Sequence, residues 1–170
     1  MKIIDISEEQ VERAKNLYPF DELKNSITKG KGNLLGAVGE IVVFDVFTAK
    51  GCEVDFNSTV DYDLIIDGYK VDVKSKATNY KPLESFNCSI PAFNTSQKCD
   101  FYFFTYITYD YKRCYLAGYK RKNTFFKEAY FANKGEIDYG EWKYKSDCYN
   151  LKMGRLNKFI VIVLIIILIN

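Results

Sequence analysis

Histidine is absent from the sequence, and tryptophan occurs only once among the 170 residues. Without histidine, Ser-His-Asp hydrolysis, Cys-His proteolysis, histidine-metal nuclease chemistry and phosphohistidine transfer are excluded in their usual forms. The five cysteines include no C-x-x-C pair, whereas zinc sites usually combine such pairs with histidine. Any catalysis must therefore depend on carboxylate, lysine, tyrosine, cysteine or serine side chains.

A large excess of either charge is also missing, since the net charge is only +2. Strong nucleic-acid binders often carry more positive charge, so a DNA-binding surface would have to be a local patch. The odd number of cysteines and the lack of an N-terminal signal peptide predict free thiols and a cytoplasmic location. The chain length predicts one domain, which we assign to residues 1–156.

Residues 157–170 are interpreted as a separate hydrophobic C-terminal tail. Residues 159–169 are all apolar, and Lys152, Arg155 and Lys158 precede them. A helix of that length would span roughly 16 Å, against about 30 Å for the hydrocarbon core of a bilayer. Two interpretations stay open: a membrane-contacting anchor at residues 159–169, or a terminal strand packed on the domain.

Capping and turn signals predict two helices in the N-terminal third. Ser7 and Gln10 form a capping-box pattern before a short helix. Asn33 is a candidate N-cap for a second helix, from Leu34 to about Lys50, that ends at Gly51. Apolar alternation and turn residues further along predict strands at Cys52–Phe56, Asn87–Ile90, Phe101–Tyr109 and Cys114–Tyr119, a helix at Thr124–Ala132, and short strands between Glu136 and Leu156.

The Asp67-Gly68 pair between two apolar runs is the clearest hairpin signal in the sequence. A two-residue Asp-Gly loop favours a type I′ turn and sets the register so that Asp63 faces Asp72. Lys74 then projects from the same face as Asp72, because side chains alternate along a strand. The opposite face carries the apolar residues Leu64, Ile66, Val71 and Val73.

Two facing carboxylates on neighbouring strands destabilise a sheet. A hard cation such as Mg²⁺ reverses that effect, because it takes carboxylate oxygens as ligands. A lysine beside such a cation suits phosphoryl chemistry, where the amine orients water or stabilises developing charge. A purely structural alternative also exists, in which Asp61 pairs with Lys74 and Asp72 pairs with Lys70 or Lys76.

The order of acidic residues around this hairpin resembles the PD-(D/E)XK nuclease superfamily. Glu40 lies in the helical segment Gly36-Ala-Val-Gly-Glu40, Asp63 begins Asp63-Leu-Ile-Ile, and Asp72-Val-Lys74 follows. The similarity covers roughly residues 33–120 and is closest to small Holliday-junction-resolvase-like and restriction-endonuclease-like members. It implies an α/β (α+β) fold with a restriction-endonuclease-like core, in which helices flank a central mixed β-sheet.

The resemblance also implies roles for individual residues. Glu40, Asp63 and Asp72 match the metal-holding positions for Mg²⁺ or Mn²⁺, and Lys74 matches the catalytic lysine. Tyr62 stands where proline is common in the family, and Asp61 is a rival for the role of Asp63. Lys76, on the same strand face, is a candidate substrate-binding residue for phosphate. Gln97 has a position where polar residues of this group sometimes contact substrate.

These patterns lead to one functional prediction and one alternative. The prediction is a metal-dependent endonuclease that hydrolyses phosphodiester bonds in DNA, with Glu40, Asp63, Asp72 and Lys74 as catalytic residues. Related nucleases often act as homodimers, so a homodimer is expected. The alternative is a catalytically inactive nucleic-acid-binding module of the same fold, associated with membranes through its tail.

Overall fold

The computed structural model describes residues 1–17, 31–57, 59–139 and 142–159 of the chain. The helices among these residues are α1 (Glu8–Leu17), α2 (Lys31–Thr48) and α3 (Lys122–Glu128). The strands are β1 (Lys2–Asp5), β2 (Val54–Phe56), β3 (Leu64–Ile66), β4 (Tyr69–Thr78), β5 (Asn87–Pro91), β6 (Phe101–Thr108), β7 (Arg113–Arg121), β8 (Tyr130–Ala132), β9 (Ile137–Tyr139), β10 (Trp142–Lys143) and β11 (Cys148–Lys152). Short 3₁₀ turns lie at Ala92–Ser96 and Met153–Arg155.

A six-stranded mixed sheet forms the centre of the fold, in the order β1-β7-β6-β4-β3-β2. Strands β4 and β6 are parallel, and the other neighbours in this sheet are antiparallel. A smaller antiparallel sheet has the order β5-β11-β8, and β9 with β10 forms a two-stranded ribbon. The predicted mixed α/β class with a central mixed sheet is therefore confirmed.

The central sheet has a hydrophobic core on each face. Helices α1 and α2 cover one face, where they pack against Leu64, Val71, Val73 and Phe103. The small sheet and α3 cover the other face, where Tyr102, Phe104 and Tyr106 of β6 are buried. The second face is thus covered largely by strands, which the sequence patterns did not predict.

The hairpin that carries the acidic residues has the predicted turn and register. Asp67 and Gly68 both have positive φ values, 46° and 80°, as a type I′ turn requires. The pairs are Ile66 with Tyr69, Ile65 with Lys70, and Leu64 with Val71. The predicted apolar face is confirmed, because its four residues are all in the core beneath α2.

The two N-terminal helix predictions have different outcomes. The capping box is confirmed: Gln10 N–H donates to Ser7 Oγ, and Ser7 N–H donates to Gln10 Oε1, both at 3.1 Å. The predicted cap at Asn33 is wrong, since α2 already begins at Lys31. Gly51 ends the helical region as predicted, with a φ of +84°.

The C-terminal half contains most of the remaining differences. The helix predicted over Thr124–Ala132 ends at Glu128, because β8 pairs with β11 from Tyr130 onward. Of the predicted tail, Asn157 N–H donates to the carbonyl of Tyr119, and Phe159 packs edge-on against Phe47. Residues 160–170 lie outside the described residues, so both interpretations of the tail stay predictions.

None of the helices in the described ranges is long and apolar enough to cross a bilayer. All five cysteines are free thiols, as predicted.

Helix α2 approaches β4 closely at Gly39, directly before Glu40. A Cβ atom on Gly39 would lie 2.0 Å from Ser75 Oγ and 3.0 Å from Thr105 Oγ1. These two hydroxyl groups are hydrogen-bonded to each other at 2.8 Å. The absence of a side chain at Gly39 therefore sets the distance between the helix and the sheet.

Replacing Gly39 with alanine should force the helix and the sheet apart or break the Ser75–Thr105 hydrogen bond. We expect Gly39→Ala to lower the free energy of unfolding by about 1–3 kcal/mol, as overpacking does. Gly36→Ala is the matched control, because its Cβ would meet only Glu40 Oε1 at 3.8 Å. Urea denaturation measures both variants, and an equal stability of the two would contradict this account of the contact.

Candidate metal-binding and active site

Asp72 is the most deeply buried acidic side chain of the hairpin, with only 1% of its surface exposed. Its Oδ1 accepts a hydrogen bond from Gln97 Nε2 at 2.8 Å. Its Oδ2 lies 2.6 Å from Lys74 Nζ. Among the described residues, Lys74 is the partner of this buried oxygen, whose second lone pair is open to a further ligand.

Asp63 lies just before β3 and turns its carboxylate toward β4. Its Oδ2 accepts a hydrogen bond from the N–H of Val73 at 2.7 Å, and its own N–H donates to the carbonyl of Val71. The regular strand pairing ends one pair earlier than predicted, at Leu64 with Val71. The carboxylate of Asp63 thereby accepts the hydrogen bond from Val73 N–H, next to Asp72, that a backbone carbonyl would accept in a regular strand pair.

Glu40 reaches the same region from α2, and its side chain is 7% exposed. The Gly39 contact with β4 brings this part of the helix against the strand that carries Asp72. The negative charge of Glu40 raises the pKa of Asp63. Asp63 therefore interacts electrostatically with Glu40, Asp72 and Lys74.

The electrostatics of this group disfavour its full ionisation. Burial raises the pKa of Asp63 well above its ordinary value, and the charges of Asp72 and Glu40 raise it further. Burial also raises the pKa of Asp72, while Lys74 and then Gln97 oppose that shift. Among the described residues, Lys74 is the cation that opposes the raised pKa of both Asp63 and Asp72, and additional positive charge would stabilise the two ionised carboxylates.

The ion pairs of the structural alternative, Asp61 with Lys74 and Asp72 with Lys70 or Lys76, are wrong. Asp61 contacts Lys98, whose Nζ lies 3.9 Å from Asp61 Oδ2 and whose N–H donates to Oδ1. Lys74 pairs instead with Asp72. The ion pair therefore lies between the two residues of the Asp-x-Lys motif itself.

Lys76 lies farther along β4, and its amine contacts the small sheet. Lys76 Nζ donates to the carbonyl of Asn87 at 2.6 Å and to Ser89 Oγ at 2.9 Å. Burial lowers the pKa of this amine. Its predicted contact with a substrate phosphate stays a prediction, and the structure gives it two partners within the fold.

Gln97 belongs to the site, although the sequence patterns assigned it no definite role. It follows the 3₁₀ turn Ala92–Ser96, and its Nε2 bridges Asp72 Oδ1 and the carbonyl of Val60, at 2.8 and 3.0 Å. The amine of Lys122 donates to its backbone carbonyl. The only signal for Gln97 in the sequence was its position before Asp100 and β6. Its contacts with Val60 and Asp72 join parts of the chain that are far apart in sequence.

No family model matches the chain, and no curated protein matches it.

The donor set of the site fits a hard divalent cation. Carboxylate oxygens are the preferred ligands of Mg²⁺ and Mn²⁺, and Asp72 Oδ2 is a buried acceptor without a well-aligned donor. Within the described residues, no three His, Cys, Asp or Glu side chains are already arranged as a metal-binding group. Binding by Glu40, Asp63 and Asp72 together would therefore require their side chains to converge.

The raised pKa of Asp63 predicts a pH-dependent stability in chelator. The protonated side chain of Asp63 contributes its full stabilising free energy below the unfolded-state pKa of about 3.9. This contribution is lost as the pH rises through the raised folded-state pKa of Asp63. Asp63→Asn keeps an acceptor for Val73 N–H and removes the charge. We expect it to raise the free energy of unfolding near neutral pH by about 1 kcal/mol or more, and to have little effect in acid.

Urea denaturation across a pH series measures this difference. Asp110→Asn is the control, because hydrogen bonds from Thr108 and Lys112 lower the pKa of that exposed acid. Its stability contribution is present above the unfolded-state pKa and is lost as the pH falls, so the pH trend should have the opposite sign. A difference between Asp63→Asn and the wild type that does not change with pH would contradict the assignment.

Proposed function

We propose that the chain is a metal-dependent endonuclease that hydrolyses phosphodiester bonds in DNA with Mg²⁺ or Mn²⁺. The observation that carries the proposal is the buried Asp72 carboxylate, 2.6 Å from Lys74 Nζ and electrostatically coupled to Asp63. A fold gains no stability by burying adjacent carboxylates with raised pKa values. A site for a cation and a phosphate explains why the arrangement is kept.

Each residue has a definite task in this proposal. Asp63, Asp72 and Glu40 would hold the divalent cation, which would supply Lewis-acid chemistry for attack of water on the scissile phosphate. Lys74 orients the attacking water and stabilises the charge that develops on phosphate oxygens. Gln97 keeps Asp72 Oδ1 in place, so that Oδ2 stays directed toward Lys74 and the cation.

A restriction-endonuclease-like core belongs to the same proposal. It is supported by the order of the acidic residues on α2, before β3 and on β4, and by the parallel pairing of β4 with β6. DNA is preferred because the small nucleases that the motif resembles act on it. A homodimer would place two such sites on the two strands of a duplex.

A plasmid-cleavage assay with Mg²⁺, Mn²⁺ and excess chelator tests the proposal. The wild type should nick or linearise the plasmid only with metal. Asp72→Asn and Lys74→Met should each reduce the rate by about a hundredfold or more, since each removes a charge that acts at the reacting phosphate. Lys112→Ala is the control, because this exposed lysine lies in the turn between β6 and β7.

A second measurement does not depend on catalysis. Mg²⁺ should raise the melting temperature of the wild type, because a ligand that binds the folded state stabilises it. It should raise that of Asp63→Asn less. Cleavage that persists in Asp72→Asn or in excess chelator would reject the enzyme, and DNA binding without any cleavage would favour the inactive binding module.

A further inference from the structure

Two loops that are distant in sequence meet above Asp72. Gln97 Nε2 donates both to Asp72 Oδ1 and to the carbonyl of Val60. Lys98 N–H donates to Asp61 Oδ1 at 3.2 Å. We call residues 59–62 and 92–98 together the two-loop rim. Its hydrogen bonds tie the rim directly to the carboxylate at the centre of the site.

The rim presents two apolar side chains to solvent. Val60 is 88% exposed and Phe93 is 63% exposed. Single exposed apolar residues are common on protein surfaces and need no explanation. Here, however, Val60 supplies the carbonyl that Gln97 binds, and Phe93 lies four residues before Gln97. Each of the two loops joined by Gln97 therefore carries one exposed apolar side chain.

Two cations accompany these apolar groups. The side chain of Lys98 is 80% exposed, and its amine is only loosely paired with Asp61, at 3.9 Å. The amine of Lys122 donates to the backbone carbonyl of Gln97, and so lies at the base of the rim. The rim thus combines an exposed aromatic ring with positive charges, and Gln97 joins it to Asp72.

An exposed aromatic ring together with cations suits a strand with unpaired bases better than it suits an intact duplex. Duplex DNA presents mainly phosphates to a nonspecific binding surface, and cations are sufficient to contact them. A strand with unpaired bases also presents base faces, and exposed aromatic side chains provide the stacking surface for them. The bases of an intact duplex are stacked on each other, so an exposed ring beside the site would have no base to contact.

We infer that the two-loop rim binds a DNA strand with unpaired bases next to the scissile phosphate. A base stacks on Phe93, Val60 contacts its edge, and Lys98 and Lys122 contact the flanking phosphates. This inference rests on the proposed nuclease function and adds a substrate class to it: single strands, flaps or junctions with exposed bases.

The binding test uses a fluorescently labelled oligodeoxynucleotide, as a single strand and as its blunt duplex, in Ca²⁺ as the site cation. Fluorescence anisotropy should show tighter binding of the single strand by the wild type. Phe93→Ala should weaken single-strand binding about tenfold and leave duplex binding unchanged. Phe93→Trp should retain the affinity. Tyr109→Ala is the matched control. Tyr109 is an aromatic residue that is 59% exposed, and it follows the C-terminal end of β6, whereas the site lies at the N-terminal end of that strand.

A 2-aminopurine base in the single strand reports stacking directly. Its fluorescence should be quenched on binding to the wild type and to Phe93→Trp, and should recover in Phe93→Ala. Equal affinity for the two DNA forms, no binding of either form, or an unchanged affinity in Phe93→Ala would overturn the inference. Metal-dependent cleavage, measured separately, decides the nuclease itself: a single strand that Phe93→Ala cuts at the wild-type rate would remove only the rim's role.

Discussion

The burial of Asp72 is the constraint on which the arrangement of the site depends. A carboxylate that is 1% exposed needs compensation for lost hydration, and it receives one amide and one ammonium group. The amide belongs to a loop that follows β5, and the ammonium to the same strand as the carboxylate. The position of Asp72 therefore links the hairpin, the two-loop rim and the strand β4 in a single set of contacts.

The approach of α2 to the sheet is the second element of this arrangement. Gly39 places the helix backbone against Ser75 and Thr105, and no larger residue would fit without a shift. Glu40 follows immediately, and its negative charge acts on Asp63. A packing contact and an electrostatic contact are thus determined by two consecutive residues, which is why Gly39 matters although it carries no functional group.

Local signals in the sequence predicted the parts of the site that depend on neighbouring residues. The Asp67-Gly68 turn and the alternation of Val71 and Val73 were sufficient for the hairpin register, because both act within one hairpin. Asn33 was misjudged as a cap, since a capping preference is weak and the helix continues one turn earlier. The role of Gln97 could not be predicted, because it depends on Val60 and Asp72, 37 and 25 residues away.

The small sheet explains why three residues with the same orientation on β4 have different environments. Asp72, Lys74 and Lys76 are spaced two residues apart, so their side chains lie on the same face of the strand. The sequence alone therefore does not distinguish their environments. The small sheet reaches this face at β5, where Asn87 and Ser89 bind the amine of Lys76. Lys74 lies before that contact and remains 23% exposed, beside Asp72 and the rim. Solvent therefore reaches the side chain of Lys74, whereas the amine of Lys76 is held by its hydrogen bonds to β5. The place where the second sheet meets β4 therefore separates the enclosed amine of Lys76 from the partly exposed Lys74 of the Asp-x-Lys motif.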